Sequence, residues 1–165
     1  MNVHDITNIM SRRVVAFKKT AKVRDIAKKM SQQRISCVVI IEKSKLIGII
    51  TERDLIKKVI SANKNPESVT ASEIMSSPTV TAQKKASITQ IAQIMKKKRI
   101  RRIVITDKKK VVGVVTQTDL MKGLIYKIKH LNWQLVHSEL SLDEYIGSLE
   151  KIKMSPKIAP KKTDS

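Results

Sequence analysis

The chain has 165 residues, 34 Lys and Arg against 14 Asp and Glu, a net charge of +20 and a single cysteine. One cysteine excludes an intramolecular disulfide and a thiolate metal cluster and fits a reducing compartment. No apolar run approaches the roughly 18 residues of a membrane span, and Met1-Asn2-Val3-His4-Asp5 lacks the basic and apolar regions of a signal peptide, so a soluble cytoplasmic protein of one compact domain or two small halves is expected.

In chain order, a β-like stretch at 14–17 leads into a helix whose Val23, Ile26, Ala27 and Met30 recur at the spacing of one buried stripe, with lysines on the other face. The apolar run 37–41, a polar turn at Lys43-Ser44-Lys45 and a second run 46–50 read as paired strands. A second helix starts at or near Asp54, where free amides favour a carboxylate. Residues 61–73, with Asn63, Asn65 and Pro66, suit a linker loop. The same order then returns: a stretch at 79–82, a stripe of Ile88, Ile91, Ala92 and Met95, runs at 103–105 and 111–115 about Lys108-Lys109-Lys110, and a helix near Asp119. That last helix is expected to continue through Tyr126, Ile128, Leu131 and Leu135, with a further helix opening on a capping box from Ser141 to Glu144, the two making an extension over 126–153. The Lys-, Pro- and Ser-containing tail at 154–165 has too little apolar surface to offset chain entropy, and disorder is expected there.

The return is an internal duplication. Shifted by 65 positions, residues 9–60 align with 74–125 without a gap, at 21 identities in 52 pairs. A unit of about 50 to 60 residues buries little surface alone, so the halves are expected to share a core. The predicted fold is α/β: two tandem β-α-β-β-α repeats, 9–60 and 74–125, packed as a pseudo-twofold module with a C-terminal helical extension. Charge follows the repeats, with 14 basic and 4 acidic side chains in the first, 12 and 2 in the second, and 7 and 5 in residues 126–165. A field so placed favours polyanions; the alternative is an inert, solvated lysine-rich surface that serves solubility and thermal stability.

Thr51 with Asp54, and Thr116 with Asp119, stand three residues apart where an apolar strand meets a helix. A carboxylate on such a ledge accepts hydrogen bonds from the vicinal hydroxyls of a ribose, with the threonine as a second polar contact, and the preceding Gly48 and Gly113 permit close backbone approach. For one isolated copy, helix capping explains the same pair equally well; the duplication in register favours a ligand role.

The segments Gly48-Ile49-Ile50-Thr51-Glu52-Arg53-Asp54-Leu55 and Gly113-Val114-Val115-Thr116-Gln117-Thr118-Asp119-Leu120, with the openings Ile9-Met10-Ser11 and Ile74-Met75-Ser76, resemble cystathionine-β-synthase (CBS) domains over residues 9–125. The resemblance implies a Bateman module: two repeats packed through their sheets, binding adenosine-containing ligands in clefts between them, commonly dimerised into a disc. It implies that Thr51 and Asp54 hold one ribose and Thr116 and Asp119 the other, with Ile49 and Val114 lining adenine. It further implies that Val80, Ile100 and Arg101 complete the first cleft, and Val15, Ile35 and Ser36 the second. Arg53, Arg101 and Arg102 are the phosphate partners expected from charge and position. Thr118 in place of Arg53, and Ser36-Cys37 in place of Arg101-Arg102, make the two clefts unequal.

The reading is a non-catalytic regulatory module for AMP, ADP or ATP, ahead of S-adenosylmethionine, with no required cofactor and with a homodimer or an unidentified effector protein as partner. The rival is a nucleic-acid-binding protein for folded RNA such as tRNA, or DNA, through Lys96, Lys97, Lys98, Arg99, Lys108, Lys109 and Lys110, joined by Lys84 and Lys85, with nucleotide as its regulator. With one Phe, two Tyr and one Trp, stacking on single-stranded bases is poorly supported. His4, His130 and His137 are too scattered for a metal site, no nucleophile has an evident base, Cys37 reads as inert core, and Trp133 as a packing or dimer contact.

Overall fold

The computed structural model describes residues 6–137 and 141–152; His4 and the tail at 154–165 lie outside them. In the first half, β1 (Ala16–Phe17) runs parallel to β2 (Cys37–Glu42), which pairs antiparallel with β3 (Lys45–Thr51). A parallel pair needs a long crossover, and α1 (Val23–Gln33) supplies it, burying Val23, Ile26 and Met30 as the spacing predicts. β3 runs directly into α2 (Glu52–Leu55), which continues as a π-helical turn over Ile56–Ile60. After the loop comes α3 (Ala71–Ile74), so residues 71–73, expected in a loop, are helical. A capping box between Thr70 and Glu73 starts that turn.

The second half repeats the plan. β4 (Thr81–Gln83) is parallel to β5 (Arg102–Asp107), which is antiparallel to β6 (Lys110–Thr116), and α4 (Ile88–Lys98) makes the crossover. β6 enters α5 (Gln117–Val136), the predicted long closing helix, and α6 (Leu142–Ile152) follows on the predicted Ser141–Glu144 capping box. No helix among the described residues is long and apolar enough to cross a membrane. Both hairpin turns put two consecutive residues in the left-handed region, Lys43 and Ser44 in one, Lys108 and Lys109 in the other, which suits the twist of the flanking strands.

The opening strands are shorter than the predicted 14–17 and 79–82. Val15 still gives its carbonyl to the Val39 amide at 3.0 Å, but Val14 packs between the sheets instead of extending the ladder, and Thr79 and Val80 turn to line a cleft.

The cores explain why the halves stay together. The first core contains Ala71 and Ile74 from the opening of the second repeat, and the second contains Ile6, from the start of the chain, with Ile9 and Met10 against it. The exchange is sealed by backbone pairs: Ile49 and Ser76 exchange two hydrogen bonds of 3.1 and 2.8 Å, and Ser11 and Val114 two of 2.9 Å. Val39, Ile49, Val104 and Val114 form a third cluster between the sheets.

Gly48 and Gly113 serve this exchange. A Cβ on Gly48 would overlap the Met75 side chain, and one on Gly113 would come within 2.6 Å of the Met10 sulfur and 2.9 Å of the Ser11 carbonyl oxygen. The close approach predicted at these glycines is thus an approach of the other repeat's opening segment. A methionine side chain yields more readily than a hydrogen-bonded backbone carbonyl. We expect Gly113→Ala to lower stability by about 1–3 kcal/mol and Gly48→Ala by less, read from urea midpoints; equal losses would show that the carbonyl is not the obstacle.

Candidate functional site

Thr51 is the last residue of β3 and the N-cap of α2. Its backbone N–H and its hydroxyl donate to Asp54 Oδ2 at 2.9 and 2.6 Å, while the Asp54 amide donates to Thr51 Oγ1 at 3.2 Å. Thr116 and Asp119 repeat the arrangement at 2.8, 2.7 and 3.3 Å. Capping and ligand binding are therefore not exclusive: capping occupies one carboxylate oxygen of each aspartate and leaves the other to face elsewhere.

What that second oxygen meets differs between the halves. Asp54 Oδ1 receives Lys58 Nζ at 2.8 Å and the Ser76 hydroxyl at 3.4 Å, and Lys58 also donates to the Ile74 carbonyl at 2.6 Å. Asp119 Oδ1 has no hydrogen-bond partner among the described residues, because the position of Lys58 is taken by Gly123. Burial, the largest single influence on Asp54, works to raise its pKa, but the Lys58 hydrogen bond, the two bonds from Thr51 and the Lys58 charge together outweigh it and hold the carboxyl below its ordinary value. At Cys37, burial raises the thiol pKa, with the Arg102 charge opposing and Glu52 adding to the rise, which agrees with an unreactive thiol.

The Thr51/Asp54 ledge opens on a cleft of about 510 Å³ between the repeats. The first half contributes Ile49, Thr51, Arg53 and Asp54; from the second half come Val80, Ile100, Arg101 and Arg102. All eight are sequence-predicted, and the structure brings them together. Ser76, Pro78, Thr79 and Arg99 also line the cleft and were not expected there. The 65-residue shift does not find Thr79 or Arg99, since their equivalents, Val14 and Arg34, carry no site signal of their own. Arg99 stands at the left-handed cap that ends α4, with φ 53°, which brings it to the lip of the cleft and not onto the lysine face of the helix. Two buried polar atoms in this wall, Thr79 Oγ1 and Arg102 Nε, have no hydrogen-bond partner among the described residues. Such groups are rare in folded proteins and cost free energy.

Around the other ledge, Ser11 pairs with Val114 as Ser76 does with Ile49, and Val15, Ile35 and Ser36 occupy the positions related by the shift to Val80, Ile100 and Arg101. Lys96, Lys97, Lys98 and Arg99 are exposed at the end of α4, and Lys108, Lys109 and Lys110 at the β5–β6 turn. Lys84 is paired with Asp107. Trp133 is half-exposed and stacks on His137, ring centroids 4.3 Å apart. No cluster of three or more His, Cys, Asp or Glu side chains that could hold a metal exists among the described residues.

The model of the CBS domain matches residues 3–61 and 71–126. An uncharacterized protein of Methanopyrus kandleri is 39% identical over 119 residues, 71% of this chain, and the chain spans about three fifths (61%) of that relative's length. Among solved structures, a CBS-domain protein of Burkholderia ambifaria superposes with a TM-score of 0.70 at 23% identity, covering 74% of this chain and 94% of that one. A CBS-domain protein of Pyrobaculum aerophilum, solved in complex with AMP, superposes with a TM-score of 0.64 at 21% identity, covering 70% of this chain and 88% of that one.

A carboxyl held below its ordinary pKa contributes stability that is complete above its unfolded value, about 3.9, and is lost as the pH falls through the folded one. Urea midpoints of the wild-type chain should therefore fall between pH 5 and pH 3. In Asp54→Asn the decline over this interval should be shallower, and an equally steep decline would remove Asp54 from the account of acid sensitivity.

Proposed function

This chain belongs to the CBS-domain family, and from that premise we propose that it is a regulatory module that holds an adenosine nucleotide in the cleft between its repeats. The observation that carries the reading is the pair of unsatisfied buried polar atoms, Thr79 Oγ1 and Arg102 Nε, in a cleft whose floor is the Thr51/Asp54 ledge. A volume of about 510 Å³ lies within the usual range of small-molecule sites. Ile49 and Val80 offer apolar walls to a purine, the ledge offers acceptors to ribose, and Arg53, Arg99, Arg101 and Arg102 offer guanidinium groups to phosphate. AMP bound to the Pyrobaculum aerophilum neighbour supports the same class of ligand.

The clefts are unequal in a direction the residues define. In the first, Lys58 already balances Asp54, so Arg53, Arg99 and Arg101 are free to attract phosphate, with Arg102 beside them. The second has Thr118, Ser36 and Cys37 where the first has Arg53, Arg101 and Arg102, and its Asp119 keeps an oxygen open. The first is the phosphate-rich site, suited to AMP, ADP or ATP; the second reads ribose with less help from charge. A ligand regulates only by binding one form of the molecule better than another, and a homodimer supplies such forms. Ile56 and Ile60 are exposed, as are Met121 and Ile125 at the equivalent positions. An apolar surface that repeats across the pseudo-twofold suits a second copy of the chain.

A second reading, RNA or DNA on the basic face, is favoured by the exposure of Lys96–98 and Lys108–110. Phosphate contacts of this kind would make affinity fall steeply with salt; binding of a transfer RNA that is indifferent to salt, or absent, removes it.

Calorimetric titration with AMP tests the cleft. The double variant Asp54→Ala, Asp119→Ala should bind at least about tenfold more weakly, since charge-assisted hydrogen bonds to the ribose are lost. Unchanged affinity would end the ribose assignment.

A further inference from the structure

One hydrogen bond joins the arginine-lined side of the Thr51/Asp54 cleft to the entrance of β2, the segment expected to wall the Thr116/Asp119 ledge. Arg102, the first residue of β5, lines the Thr51/Asp54 cleft, and its Nη1 donates to the carbonyl of Ser36 at 2.8 Å. Ser36 precedes β2, at the position expected to wall the Thr116/Asp119 cleft. Its carbonyl also accepts the Glu52 amide at 3.2 Å, which ties the start of β2 to the first turn of α2. In the other half the equivalent carbonyl, that of Arg101, accepts the Gln117 amide at 3.0 Å. No arginine can join it there, since Cys37 stands where Arg102 would be. The link therefore runs one way across the pseudo-twofold.

Arg102 is poorly matched where it lies. A guanidinium is best satisfied by a fork of parallel bonds to an anion, yet Nη1 meets a neutral carbonyl and the buried Nε has no partner among the described residues. The neighbouring Arg53, Arg99 and Arg101 are exposed and can turn to a phosphate without breaking any such bond. Arg102 alone has to choose between a phosphate in one cleft and the backbone of the other.

The geometry points to Arg102 as the residue that distinguishes a phosphorylated adenosyl ligand from its nucleoside, by leaving the Ser36 carbonyl for the phosphate and so releasing the wall of the opposite cleft. This rests on the reading of the clefts as adenosyl sites. Filling the first cleft with a nucleotide then changes the second, whereas filling it with adenosine does not. The size of the effect is set by the difference between the two bonds available to one guanidinium.

The test titrates adenosine and AMP into the full chain carrying Asp119→Ala, which confines strong binding to the first cleft. Arg102→Gln and Arg102→Lys are each added to that background. Affinities come from calorimetry, and the Ser36 carbonyl carbon resonance is followed in parallel. The preference for AMP over adenosine should fall about tenfold with glutamine, the loss of a charge-assisted contact, and by less with lysine, which keeps the charge without the fork. With Arg102 present, the Ser36 resonance should move with AMP and stay with adenosine. A ratio unchanged by both substitutions, or a Ser36 resonance that moves equally with both ligands, overturns the role of Arg102 while leaving the cleft reading intact. Failure of the Asp119→Ala chain to bind either ligand overturns both.

Discussion

Each half of this molecule closes its core with a piece of the other. Ala71 and Ile74 complete the first core, and Ile6, Ile9 and Met10 complete the second. A repeat this small buries too little surface to be comfortable alone, and the exchange answers that shortage without enlarging either unit. It also sets the distance between the sheets. The Ser76–Ile49 and Ser11–Val114 pairs lay each opening segment against the other half's last strand, and a glycine in that strand is what lets the segment approach.

The cleft is a consequence of this exchange. After its pairing with Ile49, the chain from Ser76 must travel to β4, and on the way Pro78, Thr79 and Val80 become the wall facing the Thr51/Asp54 ledge. The ledge is itself held by the reciprocal bonds that start α2. Floor and wall thus come from different repeats, fixed by backbone hydrogen bonds at both ends. A cleft built this way has its floor and wall set by the fold itself, and its shape depends on the relative placement of the halves because no single repeat contains it.

The periodic features were readable in the sequence. The stripes of α1 and α4, the hairpins and the two ledges follow from local spacing, and a repeat in register multiplies the weight of each. What could not be read is what depends on partners far along the chain. Gly48 and Gly113 announced close approach, but only the packing identifies Met75 and Met10 as what approaches. Residues 71–73 carry loop-like composition, yet Thr70 and Glu73 cap a helical turn there. Arg99 looked like one more charge on a basic helix until its left-handed backbone brought it to the cleft. Within the site, the ledge residues were legible from chemistry and duplication, and the i, i+4 spacing of Asp54 and Lys58 suits a helical ion pair; the bond of Lys58 to the Ile74 carbonyl was not legible, because it depends on a partner in the other repeat.

The inequality of the clefts has a packing origin that charge counting misses. In the second half, Gly123 lies under Ile9, and a Cβ there would come within 3.0 Å of that side chain. A lysine cannot occupy the position without displacing a residue that closes the second core. In the first half Ile74, the equivalent of Ile9, turns its carbonyl toward position 58, and Lys58 fills the space while neutralising Asp54. The occupant of one duplicated position, lysine at 58 and glycine at 123, thereby decides which aspartate keeps an open oxygen. From that difference follows an asymmetry that two identical repeats could not have: one ledge with its carboxylate balanced beside four arginines, the other with a carboxylate oxygen left open and Cys37 where Arg102 stands.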